Sequence, residues 1–163
     1  MSSTVFDSGL FRDMFGTAEM RAIFSDAGYL ARCLEVEAAL ARAQAGIGMI
    51  PAAAAREISA KATLACLDLA ELKRETEIVG YPILPLVKQL AAACGGDAGG
   101  YVHWGATTQD IMDTAVVLQL RAAFELIEAD LNEILVSLAS LARRYRDTPM
   151  AGRTHLQHAL PVT

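Results

Sequence analysis

The chain has 163 residues, the size of one domain, with a formal net charge of −5 and 53% hydrophobic residues. The acidic balance argues against nucleic acid as a partner, although a local positive feature can still hold a small anion. The apolar fraction is high for a soluble monomer, yet no membrane segment accounts for it. The richest stretch, Thr114 to Leu141, is interrupted by Arg121, Glu125, Glu128, Asp130 and Glu133 and falls short of about 20 unbroken apolar residues.

Asp7, Arg12 and Asp13 near the start do not fit a signal peptide. Cys33, Cys66 and Cys94 are odd in number and far apart. They suit a cytoplasmic protein rather than a disulfide framework or a zinc cluster. Ser2 to Gly16 lacks periodicity and is expected to be an extended arm. Thr17 is an N-cap candidate for a short helix with Met20, Ile23 and Phe24 on one face. Asp26 is expected to cap a longer helix to about Ala45. Its apolar stripe is Leu30, Leu34, Ala38 and Ala41, with Glu35, Glu37 and Arg42 placed largely off it. Gly46 and Gly48 end it, and Pro51 at the first helical position starts the next, to about Ala62. Asp68 caps a helix through Leu69, Leu72 and Ile78, broken at Gly80-Tyr81-Pro82. A further helix with Pro85 in its first turn ends at Gly95-Gly96.

A Gly-rich loop then leads into His103-Trp104-Gly105-Ala106-Thr107-Thr108-Gln109-Asp110. Gly105 gives the backbone freedom to turn. Thr107 or Thr108 can cap the following helix, with Asp110 completing an approximate capping box. A helix start with two hydroxyls, free N–H groups and a positive dipole end suits a carboxylate. The plainer reading is that these residues only cap the helix.

The helix they open is expected to run from Gln109 to about Tyr145, roughly 55 Å at 1.5 Å per residue. In its first half Ile111, Met112, Ala115, Val116, Val117, Leu118, Leu120, Ala123, Phe124, Leu126 and Ile127 cover nearly every side. A helix apolar all round needs burial on every side, and a multi-chain bundle is the simplest way to supply it. Arg143, Arg144 and Arg146 favour its C-terminus, and Pro149 closes it. No confident strand is found. The predicted class is all-α: an N-terminal helical domain over 1–104, then from 105 to 163 the truncated start of a central long-helix bundle. Pro161 suits the first turn of another helix, so the chain reads as part of a longer protein.

A second polar cluster follows in Gly152-Arg153-Thr154-His155-Leu156-Gln157-His158. Arg153 can bind a carboxylate in bidentate geometry, and His155 can act as acid or base near neutral pH. His155 and His158 have no carboxylate or Cys beside them, and Arg153 would repel a cation, so no metal is expected. The alternative is that both histidines satisfy buried backbone groups. Two clusters at opposite ends of a helix about 55 Å long cannot meet within one chain. If both serve one site, neighbouring subunits must share it.

The first cluster, with Asp113 and Thr114, resembles the first signature region of the fumarase/aspartase superfamily. The second, with Ala159 and Pro161, resembles the second signature region. The resemblance implies a homotetramer on a long-helix bundle, with shared active sites and cofactor-free chemistry at a carbon alpha to a carboxylate. Within the superfamily, Val102 to Thr114, Gly80 to Pro85 and Leu156 to Pro161 are similar to the bacterial 3-carboxy-cis,cis-muconate cycloisomerases of the β-ketoadipate pathway. That implies a small tricarboxylate substrate closing to 4-carboxymuconolactone. By this resemblance Thr154 and His155 are catalytic, and Thr107, Thr108, Gln109, Arg153, His103 and Gln157 bind substrate.

The adenylosuccinate lyases are the nearest rivals, but their N-terminal Arg-Tyr pair is missing, and so is a His-Asp pair where Gly80-Tyr81 stands. A cycloisomerase for a differently 3-substituted muconate remains open. The non-enzymatic alternative is a helical assembly module, which leaves the density of the second cluster unexplained. The third signature of the superfamily, a flexible Ser-containing loop, is absent from these residues, so this piece alone is expected to be inactive.

Overall fold

The computed structural model describes residues 4–163, and its first compact unit is built around a 21-residue helix. This is α2, Asp26–Gly46, whose Leu30, Cys33, Leu34, Glu37, Ala38, Ala41 and Gln44 are buried. Spacings of three and four residues put these on one face. Before it lies α1, Ala18–Ile23; after it come α3, Ala52–Lys61, α4, Leu69–Val79, and α5, Ile83–Ala93. The 37-residue α6, Thr108–Arg144, follows. The core gathers Leu34 of α2, Ile58 of α3, Leu86 and Leu90 of α5 and Ile111 of α6. Among the described residues six α-helices form nearly all the regular structure, so the all-α class holds. Among the described residues no helix is long and apolar enough to cross a membrane.

Several boundaries follow the predicted capping residues. Thr17 accepts from the Met20 N–H at 3.2 Å. Asp68 accepts from the N–H groups of Ala70 and Glu71. Gly80 closes α4 with a φ of +92°. Elsewhere the structure departs from expectation. Ser25, not Asp26, caps α2, because its hydroxyl reaches the Gly28 N–H at 3.0 Å, and Asp26 is the first helical residue. Pro51 occupies the cap, one position before α3.

The expected arm includes Ser2 and Ser3, which lie outside the described residues. From Thr4 onward it is folded into turns, with a short 3-10 turn at Arg12–Met14. The Arg21 guanidinium draws it in by binding the carbonyls of Arg12 and Gly16 and the carboxylate of Asp13.

The chain divides into two compact units, one ending at Ala123 and the other Phe124–Thr163. In the first, α6 buries only Ile111, Ala115, Gln119 and Ala123, one residue every four. The Gln119 amide donates to the Ile23 carbonyl at 2.6 Å. Burial on every side is therefore not achieved by this chain: Val117 is 60% exposed and Leu120 42%. In the second unit the remainder of α6 leads to a hairpin of β1, Arg153–Thr154, and β2, Gln157–His158. The strands are antiparallel, with Arg153 opposite His158 and Thr154 opposite Gln157. A bridge between Met150 and Val162 extends the pairing. Two-residue strands give too little alternation to be read from sequence. Val162 pairs in this bridge, so no helix opens at Pro161.

Candidate carboxylate-binding site

The turn from His103 to Thr107 positions the start of α6. His103 has a φ of +60° and Gly105 one of +69°. Glycine adopts this region freely, whereas a non-glycine residue there is held by its surroundings. For His103 the holding groups are visible on α2. Glu37 Oε1 lies 2.6 Å from His103 Nδ1, and the Gln44 amide donates to the Trp104 carbonyl at 2.6 Å.

Glu37 is a correction to the sequence reading. It is not off the buried stripe but 1% exposed within it. Leu30, Glu37 and Gln44 are spaced by sevens, two helical turns apart, and that spacing was the signal available in the sequence. Burial holds the Glu37 carboxyl above its usual range, against a downward pull from His103. Its Oε2 and the Gln44 Oε1 are buried without a hydrogen-bond partner among the described residues.

At the helix start, Thr107 and Asp110 form a reciprocal capping box. The Thr107 N–H and hydroxyl both donate to Asp110 Oδ2, at 2.8 and 2.7 Å. The Asp110 N–H returns to Thr107 Oγ1 at 3.4 Å. These donations from Thr107 hold the Asp110 carboxyl below its usual range. They also commit the Thr107 hydroxyl proton. The Gln109 amide is engaged too, donating to Asp113 Oδ1 at 2.6 Å. The half-buried Thr108 keeps its hydroxyl, and the N–H groups of Thr108 and Gln109 have no acceptor inside the helix. The turn thus combines uncharged donors, a dipole end and an imidazole bound through one nitrogen.

The second cluster occupies the hairpin. Gly152 lies so close to the Leu160 carbonyl that a Cβ would collide with it, and its carbonyl accepts from the Ala159 N–H at 3.0 Å. The Thr154 hydroxyl donates to the Gln157 carbonyl at 3.3 Å. His155 and Leu156 form the tip, with Leu156 at a φ of +65°. Arg153, His155 and His158 are exposed, so neither histidine satisfies a buried backbone group here. His103, Thr107, Thr108 and Gln109 are gathered in the first unit. Arg153, Thr154, His155 and Gln157 are gathered in the second.

A lyase family profile matches residues 15–163, and the chain belongs to that family, within the fumarase/aspartase superfamily. It is 48% identical over 157 residues to 3-carboxy-cis,cis-muconate cycloisomerase of Pseudomonas aeruginosa, covering 94% of this chain and 34% of that protein. It is 47% identical over 156 residues to trans-aconitate decarboxylase 1 of Mycosarcoma maydis, covering 96% of this chain and 32% of that one. The crystal structure of fumarate lyase from Mesorhizobium sp. BNC1 matches at a TM-score of 0.85 and 57% identity, over 91% of this chain and 35% of that one. The chain therefore spans about a third of the length of these relatives.

Proposed function

We propose that the full-length protein is a cofactor-free enzyme of polycarboxylates, and specifically a 3-carboxy-cis,cis-muconate cycloisomerase forming 4-carboxymuconolactone. The observation that carries the carboxylate reading is the α6 N-terminus, where the uncommitted donors of Thr108 and Gln109 stand beside an imidazole bound at one nitrogen only. The muconate assignment is supported by the likeness to the Pseudomonas aeruginosa cycloisomerase.

In the reaction one substrate carboxylate adds to an alkene carbon, and a proton arrives at the carbon alpha to a second carboxylate. Electron density shifts onto that second carboxylate before the proton arrives, and fixed uncharged donors stabilise it there. Thr107, Thr108 and Gln109 are proposed to line this side, with His103. Arg153 and Gln157 are proposed to bind the other carboxylates, and Thr154 and His155 to approach the reacting carbons. The two groups are proposed to come from different subunits of a homotetramer, as the superfamily likeness suggests.

The reverse reaction expels a carboxylate, which is stable as an anion, so no strong acid is needed at the leaving group. His155 therefore serves binding and charge more than obligatory proton transfer. His155→Gln in the full-length enzyme is expected to raise KM by about tenfold while largely keeping kcat. Lost turnover at unchanged affinity would refute this.

A second reading is another lyase of the superfamily acting on a fumarate-like or succinyl substrate. The fumarate lyase and the trans-aconitate decarboxylase, both close in sequence, favour keeping it. Loss of muconate absorbance on adding 3-carboxymuconate to the full-length protein is the deciding assay. No turnover there, with turnover of adenylosuccinate or another succinyl compound, would overturn the leading reading.

A further inference from the structure

Glu37 has no role in packing that an apolar side chain would not fill better. A buried carboxyl with an unpartnered oxygen costs desolvation that an apolar side chain of similar volume would not. Among the described residues the Glu37 side chain hydrogen-bonds His103 Nδ1 alone. Seven residues on, the equally buried Gln44 grips the next residue of the same turn through the Trp104 carbonyl. Two polar side chains on one face of α2 thus reach two successive residues of the first motif, and the first of these has a positive φ.

The two anchors differ in what they hold. Gln44 holds backbone, while Glu37 holds an imidazole. A hydrogen bond at one ring nitrogen decides which nitrogen is left for a ligand and in which tautomer. With Nδ1 committed, Nε2 is the nitrogen left to meet an incoming group, and the ring is 19% exposed. Burial raises the affinity of the Glu37 carboxyl for protons, while His103 pulls it down.

We propose that Glu37 is a positioning residue for carboxylate recognition: it binds His103 through Nδ1 so that Nε2 contacts the substrate carboxylate seated at the α6 N-terminus. This rests on the carboxylate-site reading above. Glu37 acts through His103 and does not itself touch substrate.

The test is a double-mutant cycle in the full-length protein, with tricarballylate, a saturated tricarboxylate, as the calorimetric probe. Glu37→Met, which leaves Nδ1 without its partner, is expected to weaken binding about tenfold, the scale of one hydrogen bond. His103→Asn is expected to weaken it at least as much, and the double variant no further than His103→Asn alone. Gln44→Met holds no ring, so its effect is expected to add to that of His103→Asn. Glu37→Gln, whose amide can still bond Nδ1, is expected to bind nearly as the wild type, and Glu37→Leu repeats the cycle should Glu37→Met fail to fold. Additive losses from Glu37→Met and His103→Asn, or wild-type binding by Glu37→Met where His103→Asn binds weakly, would overturn the positioning role alone. Wild-type binding by His103→Asn, or no binding of tricarballylate by the wild type, would instead overturn the carboxylate reading and this inference with it.

Discussion

At Thr107 and Asp110 one residue pair both ends a turn and sets the electrostatics of a helix start. The pair is legible as Thr-x-x-Asp, because a capping box depends only on local spacing. Its cost to the site is not legible, since only coordinates show that the Thr107 hydroxyl proton goes to Asp110. The Thr107 donations hold the Asp110 carboxyl below the ordinary aspartate range, and this gives a definite pH dependence. The unfolded chain titrates near the ordinary value, so the cap contributes its full stability above that pH. The contribution is lost as pH falls through the lower folded-state value. Thr107→Ala removes the hydroxyl that donates to Asp110 and is expected to lower the melting temperature by a few degrees at neutral pH. Thermal melts of both proteins against pH check this: the gap should narrow as pH falls through and below the aspartate range. A constant gap would show that Asp110 charge plays no part. Glu37 was hidden for a different reason. A single Glu on an amphipathic helix is normally solvated, and its partner His103 is 66 residues away in sequence.

At the scale of elements, α2 organises the first unit because its buried face is long enough to receive other helices and the motif turn together. Its apolar stripe was readable from spacing; Glu37 and Gln44 share that spacing, but their residue types argued for solvent. The join between α1 and α2 shows a constraint of the same kind. A Cβ at Gly28 would collide with the carbonyls of Ala22 and Ile23, and the Ile23 carbonyl also accepts from Gln119 of α6. Gly28→Ala is expected to destabilise by about 2 kcal/mol, the usual scale of overpacking. Gly46, at the other end of the same helix, has nothing within 4 Å of its Cβ position, and Gly46→Ala should cause no loss. Denaturant titration separates them: the midpoint should fall for Gly28→Ala at unchanged slope. Equal midpoints would mean that α1 shifts away at little cost. The hairpin of the second unit was missed because its strands are set by pairing between residues, not by a hydrophobic period.

At the scale of the whole molecule, composition and structure pose the same problem. The apolar excess of the sequence reappears as exposed side chains along α6, with Phe124 64% exposed, Leu131 53% and Leu138 56%. These three fall at intervals of seven, the spacing of a seam between long helices. Sequence alone shows that such a seam wants cover and cannot show which chain supplies it. If neighbouring subunits supply it and, as proposed, the two motif clusters of one site come from different chains, mixed assemblies give a direct test. Thr108→Val damages the first cluster and Arg153→Met the second, so each full-length variant alone should be inactive or nearly so. Co-expressed in equal amounts, they should recover activity, because some sites draw an intact first cluster from one variant and an intact second cluster from the other. With random mixing, roughly a quarter of the sites in a closed symmetric oligomer would be intact. Turnover per site of the purified mixed oligomer measures this. Recovery near a quarter of wild-type activity supports sites shared between chains. Absence of recovery, with mixed oligomers demonstrated by two affinity tags, would place both clusters of each site on one chain.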